Sequence, residues 1–245
     1  MRPVLALALL LQAASSAGAS VFSAARNGDV EAVRSYLASG GDPNARLGGD
    51  SPLLLLAAMK GKAGVVDLLV KGGANVNLAN SEGATPLMLA AFGREPAVVA
   101  RLLDAGADVK PRDKYGLNAL SHLLAAKWAG EELIQRLIAA GSDVEAPGIP
   151  KGATPLIWAA NDCRPGVTRL LLKAGAKPNL PRRDGVTPLM QSVVSGCPEV
   201  ARVLLEAGAN PAAKDEKGLT ASDFARKSNN PALLSVLAPK KARKP

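Results

Sequence analysis

The sequence predicts an all-α chain, a solenoid of stacked helix-turn-helix units. Three observations carry this. First, the stretch GATPLIWAANDCRPGVTRLLLKAGAKPN at residues 152–179 recurs 33 residues later as GVTPLMQSVVSGCPEVARVLLEAGANP at residues 185–211. Second, further copies begin at Ser51, Thr85 and Asn118, and shortened copies run from Val21 and from Leu219. The starts at 51, 85, 118, 154, 187 and 220 are spaced by 34, 33, 36, 33 and 33 residues. Third, aromatic residues make up 3% of the 245, while Ala, Leu and Gly dominate. Such a chain builds its core from small aliphatic side chains at close range, which suits short stacked helices. A repeat period of a few tens of residues marks an array, and a unit that cannot bury both of its faces alone must stack on its neighbours.

The elements of one unit follow from its local chemistry. Thr154 is a good helix N-cap, and Pro155 fits the first helical position because the N–H it lacks would have no partner there. Leu156, Ala159 and Ala160 form the apolar face of a short first helix. Pro165 opens a second, along which Val167, Leu170 and Leu171 recur at helical spacing. Gly175 ends it, since Gly adopts the left-handed conformation of a helix C-terminus at little cost. Asp184-Gly185 then marks a turn. On this pattern the units are 49–82, 83–115, 116–151, 152–184 and 185–217, between an N-terminal cap at 21–48 and a C-terminal cap at 218–238. Ala57-Ala58, Ala90-Ala91 and Ala159-Ala160 let neighbouring helices approach closely. The expected hydrophobic seam contains Leu56, Leu87, Leu120, Leu156 and Leu189.

The pattern G-x-TPL-x-x-AA…VV-x-LLL-x-x-GA-x-x-N resembles the ankyrin repeat, over about residues 21–238. The resemblance implies a right-handed solenoid of L-shaped units with hairpin-like turns and a concave face lined by the first helices. Family members often carry His after Thr-Pro-Leu, where it ties turns together. Here those places hold Leu54, Met88, Ser121, Ile157 and Met190, so apolar packing must substitute. The unit at 116–151 departs furthest. Asn118-Ala119 replaces Thr-Pro and two extra residues precede Gly141, so the loop near AAKWAGEE is expected to be irregular. In this family, partner proteins are gripped by turn tips and by exposed ends of the inner helices. Carried onto this chain, those positions include Phe92, Lys114, Tyr115, Lys127, Trp128, Asn161, Asp162, Arg182 and Arg183. Tyr115, Phe92 and Trp128 stand out because aromatic residues are enriched at binding hot spots. Trp158, one turn into an inner helix, reads as core.

The ends of the chain carry different signals. Residues 1–19 have a charged start at Arg2, an apolar run from Val4 to Leu11 and small residues ending in Ala17-Gly18-Ala19. This is the pattern of a secretory signal peptide cleaved before Ser20, and the apolar run is too short to span a bilayer. The expected destination is outside the cytoplasm, the periplasm in a Gram-negative source. The tail at 239–245 carries Lys240, Lys241, Arg243 and Lys244 and reads as a solvated terminus. Cys163 and Cys197 are the only cysteines, and both fall in the inter-helix loops of adjacent units. Stacking makes those loops neighbours, and an oxidising compartment favours joining them, so a Cys163–Cys197 disulfide is expected. The objection is reach: stacked helices lie about 8–10 Å apart, whereas the bridge needs Cα atoms within about 7 Å.

Other functions find little support. The single histidine, His122, has no nucleophile or carboxylate readable as a catalytic partner. Two Cys and one His do not make a four-ligand metal set. No phosphate-binding Gly loop, Gly-x-Ser-x-Gly or His-Glu-x-x-His occurs. No enzyme, cofactor or metal site is therefore expected. The net charge of +9 favours acidic partners, but the export pattern and the absence of aromatics beside the basic residues disfavour nucleic acid. The sequence therefore reads as an exported, monomeric scaffold, not membrane-spanning, that binds another protein and restrains or protects an exported enzyme. The alternative is a cell-envelope binder whose basic surface holds anionic lipid or wall polymer.

Overall fold

A computed structural model describes residues 21–48, 50–127, 129–148 and 151–238. The expected signal peptide at 1–19, Trp128 and the basic tail at 239–245 lie outside the described residues. The chain divides into two compact units at Lys114–Tyr115.

In the first unit, helix α1 covers residues 21–27 and α2 Val30–Ala38. A two-residue hairpin, β1 Arg46–Leu47 against β2 Ser51–Pro52, leads into α3 Leu53–Met59 and α4 Ala63–Lys71, then α5 Pro86–Phe92 and α6 Pro96–Asp104. The second unit repeats the plan with α7 Ala119–Ala125 and α8 Glu131–Ala139, α9 Pro155–Asn161 and α10 Pro165–Lys173, α11 Pro188–Val194 and α12 Pro198–Glu206, α13 Ala221–Lys227 and α14 Pro231–Leu237. Within each unit the seven-residue first helices stack in one row and the second helices in another. Thus α3 packs on α5, and α9 on α7 and α11, while α4 packs between α2 and α6, and α10 between α8 and α12. The all-α architecture is the one the sequence predicts.

Capping fixes where the first helices start. The side chains of Thr85, Asn118, Thr154, Thr187 and Thr220 accept the backbone N–H groups of Met88, Ser121, Ile157, Met190 and Asp223, satisfying donors that the helix itself leaves open. The first copy corrects the expected register. Ser51 and Pro52 are held in β2, so Pro52 is the N-cap of α3 rather than its first residue. The N-caps at 52, 85, 118, 154, 187 and 220 are then spaced 33, 33, 36, 33 and 33 apart. The expected seam residue Leu56 is only half-buried, and Leu54 takes its place at 1% exposure. By the same shift Leu55, not Leu54, stands at the position of Met88. Leu87, Leu120, Leu156 and Leu189 are each at most 1% exposed, as the sequence implies, and the paired alanines beside them are buried too.

Two devices join successive repeats. The last residue of the Gly-Ala-x-x-Asn pattern is a strut. Asn44, Asn77 and Asn179 accept the backbone N–H of Asn75, Asp108 and Asn210 in the next repeat, and Glu145 does the same for Lys177, at 2.6–2.8 Å. The turn tips are stitched by backbone bonds from Lys114 N to Glu82 O, Arg183 N to Lys151 O and Glu216 N to Asp184 O. Gly185 is needed for the last of these. Its φ is +77°, and a Cβ there would stand 2.9 Å from Asp215 Cα and Glu216 N.

The departure at 116–151 is where it was expected. Residues 126–130 join α7 to α8, five residues where three join α5 to α6 and α9 to α10. Arg164, from the next repeat, donates to the carbonyl of Ala129 and so ties this loop down. Burial pulls the Arg164 guanidinium below its usual pKa, against the opposing charges of Asp162 and Glu131. The cysteine loops meet: Cys163 and Cys197 are joined by a disulfide with Cα atoms 5.3 Å apart. The reach objection fails because the pair is offset by one position. Cys163 occupies the left-handed site (φ 52°) that Gly196 fills in the next repeat, and Cys197 follows it as the N-cap of α12.

Candidate functional site

The predicted partner-binding residues divide between the units. Phe92 ends α5 with 62% exposure, and Lys114 sits on a turn tip where it pairs with Glu82; both belong to the first unit. Tyr115, 52% exposed, opens the second unit. The remaining described candidates lie in the second unit, and most of them are wired together.

That network runs across two inner helices and two turn tips. Arg182 Nε donates to Asp184 Oδ1 at 2.6 Å and Arg182 Nη1 to Gln191 Oε1 at 3.1 Å. Gln191 Nε2 donates in turn to Asn161 Oδ1 at 3.0 Å and to Ser195 Oγ at 3.3 Å. Asn161 Nδ2 donates to Asp162 Oδ1 at 2.8 Å, and that carboxylate also takes the Lys127 ammonium at 2.7 Å. Lys151 Nζ completes the far end by pairing with Asp184 Oδ2 at 3.0 Å. Arg183 is exposed beside it. The Arg182 and Asp184 side chains are only 23% and 17% exposed, whereas Arg169 and Glu199 on the outer helices are 57% and 53% exposed. Water therefore screens the inner pair less, and it holds its geometry better than a typical surface bridge.

A small pocket of about 80 Å³ opens on this network, lined by Ala153, Ile157, Trp158, Asn161, Arg182 and Gln191. Trp158 is half-buried rather than core, and its indole N–H is closed from solvent with no acceptor among the described residues. The wiring residues Lys151, Asp184, Gln191 and Ser195 were not singled out from sequence. One signal was available: Leu56, Leu89, His122, Trp158 and Gln191 occupy the same place in successive repeats, and Gln191 is a polar residue in a largely apolar row.

Burial alone would raise the Asp184 carboxyl, but hydrogen bonds and charge from Arg182 and Lys151 outweigh it and hold the pKa at about 2, against an ordinary 3.8. A depressed carboxyl contributes stability that is complete above the unfolded value and lost as pH falls through the folded one. Stability in urea should therefore decline between about pH 4 and pH 2 in the wild type, and Asp184→Asn should flatten that part of the profile. An unchanged slope in the variant would show that Asp184 carries no such load.

Among the described residues no cluster of three or more His, Cys, Asp or Glu side chains is placed to hold a metal ion. No helix among them is long and apolar enough to cross a membrane. The arrangement offers hydrogen-bond donors, an oriented guanidinium and an aromatic wall, which is equipment for recognition. A family model described as ankyrin repeats (three copies) matches residues 21–113 and 122–215. The chain belongs to the ankyrin-repeat family.

Relatives place this ankyrin-repeat protein further. It is 34% identical over 134 residues to an ankyrin repeat-containing protein of Treponema pallidum (strain Nichols), matching 55% of its own length and 44% of the relative's. It thus spans less than half the length of that curated relative. Among solved structures it is similar to the ankyrin repeat domain of Bcl-3, a member of the IkappaB family, with 27% identity and a TM-score of 0.73 over 89% of this chain and 97% of that one. The human ASB11 ankyrin repeat domain gives 26% and 0.74 over 90% and 99%. A chain from the complex of a predatory endopeptidase of Bdellovibrio bacteriovorus with an immunity protein gives 28% and 0.68 over 77% and 97%. Ankyrin repeats imply protein–protein interaction.

Proposed function

We propose that this ankyrin-repeat protein is an exported, non-enzymatic scaffold that binds an enzyme in the compartment it enters and restrains or shields it. The likeness to a chain of the Bdellovibrio endopeptidase–immunity protein complex carries the reading, and it makes a peptidase the first partner class to test. Two further features support it. The N-terminal pattern is that of a secretory signal, and the Cys163–Cys197 pair suits an oxidising compartment. The wired surface around Arg182 and Arg183 supplies the contact. Fold likeness alone does not fix a partner, so the test is made on the residues.

Arg182→Glu with Arg183→Glu, and separately Tyr115→Ala, should weaken partner binding by about 30-fold or more, the size of a hot-spot loss of about 2 kcal/mol. Far-ultraviolet circular dichroism should be unchanged. The assay is inhibition of peptidase activity in the exported fraction by added mature protein, wild type against variants. Equal inhibition by all of them would remove this surface from the contact. A salt-sensitive attachment to cell envelopes, with no effect on any peptidase, would favour the envelope-binding alternative.

A further inference from the structure

We propose that the pocket between Trp158, Arg182 and Gln191 receives an acidic side chain of the partner protein and is the anchor of the interface. This rests on the reading that the second unit contacts a partner, and it adds the chemistry that the partner must present. The pocket combines two kinds of wall. Ala153 and Ile157 are buried apolar residues that suit a methylene stem. Arg182, Gln191 and Asn161 are the polar residues that complete the lining. About 80 Å³ suits the tip of one side chain.

The polar wall is prepared for an acceptor. Gln191 spends its carbonyl on Arg182 and its amide hydrogens on Asn161 and Ser195. Asn161 spends one amide hydrogen on Asp162. Arg182 keeps the charged capacity: Nε and one Nη1 hydrogen are engaged by Asp184 and Gln191, and the rest of the planar fork has no partner among the described residues. A guanidinium held on two sides loses little freedom when it binds, and its geometry matches a carboxylate in two-pronged fashion. Asp184 does not cancel the charge, because Lys151 shares that carboxylate. The Lys151–Asp184–Arg182 set keeps one net positive charge, and exposed Arg183 adds another. Trp158 also lines the pocket, and its indole N–H, closed from solvent, has no acceptor among the described residues. A buried donor without a partner is costly, and a small turn of the half-buried ring toward a seated oxygen relieves that cost.

The pocket can be tested without the partner. Trp128 and Trp158 are the only tryptophans, so the folded protein gives two indole N–H signals in a proton–nitrogen correlation spectrum, assigned with Trp128→Phe. Propionate, the side chain of glutamate, is titrated at constant ionic strength, with propionamide as its neutral isostere and sodium chloride as the salt control. The expected result is a saturable shift of the Trp158 signal by propionate, about tenfold weaker response to propionamide because the charge-assisted bonds are lost, and loss of the propionate response in Arg182→Gln with the rest of the spectrum in place. No saturable shift, an equal response to propionamide or to chloride, or an undiminished response in a folded Arg182→Gln would overturn the proposal. Should Arg182→Gln fail to fold, the comparison of propionate with propionamide on the wild type decides it. A negative titration alongside retained peptidase inhibition rejects the acidic anchor alone; loss of both in freshly folded protein rejects the partner reading as well.

Discussion

Leu156→Ala is expected to lower stability by about 2–5 kcal/mol, the range for emptying a fully buried leucine site. Leu156 is 1% exposed in a helix packed against α7, α10 and α11, so little of its surroundings can collapse into the space. Repeats touch only their neighbours, so the loss also weakens the coupling across which the array folds. The first copy supplies a sharper contrast. Leu54→Ala should cost as much as Leu156→Ala, whereas Leu56→Ala should cost clearly less, because Leu56 is half-buried. Urea unfolding of the three variants measures this. Equal losses at 54 and 56 would mean that α3 does not begin at Leu53.

Removing the disulfide has the second large expected effect. Cys163 and Cys197 are 34 residues apart in sequence, and closing a loop of that size in the unfolded chain is worth roughly 3–4 kcal/mol by the chain-entropy estimate. The bridge clips the α9–α10 loop to the α11–α12 loop, next to Asn161 and Ser195 of the polar network. Cys163→Gly with Cys197→Ala is the suitable variant, since Gly tolerates the positive φ at 163 that a plain alanine would strain. Its unfolding midpoint should match that of the wild type in reductant and lie well below that of the oxidised wild type. Identical stabilities of oxidised and reduced wild type would show that the bridge contributes nothing.

Much of the fold was legible because each repeat writes its own boundaries. Thr-Pro sets a helix start, Gly a helix end, and paired alanines a close contact; these are local effects, and they held. The disulfide was legible from the period together with the export pattern, since stacking brings loops 34 residues apart close together and an oxidising compartment favours joining them. The first copy misled because Ser51-Pro52 looks like Thr-Pro, yet the hairpin pairing of β2 with β1 decides the register there. The candidate site was less legible because it is assembled across repeats. Asn161, Asp162, Arg182 and Lys127 were singled out as positions on a surface, but what joins them is Gln191, 30 residues from Asn161, and its role exists only once the inner helices are stacked. Trp158 read as core because its ring suits helix packing; nothing in the sequence marks that its N–H would find no acceptor among the described residues.

Placing a photo-crosslinking amino acid at Arg183, and in a separate protein at Arg169 on α10, tests most directly whether the inner surface of the second unit grips an exported enzyme. Both side chains are exposed, but only the first adjoins the Arg182 network. After irradiation in the native exported fraction, the expected result is one dominant crosslinked protein from position 183, identified by mass spectrometry as an enzyme and lost when Arg182→Glu is added, with no such product from position 169. Crosslinking from 169 alone, or no specific product from 183, would contradict it.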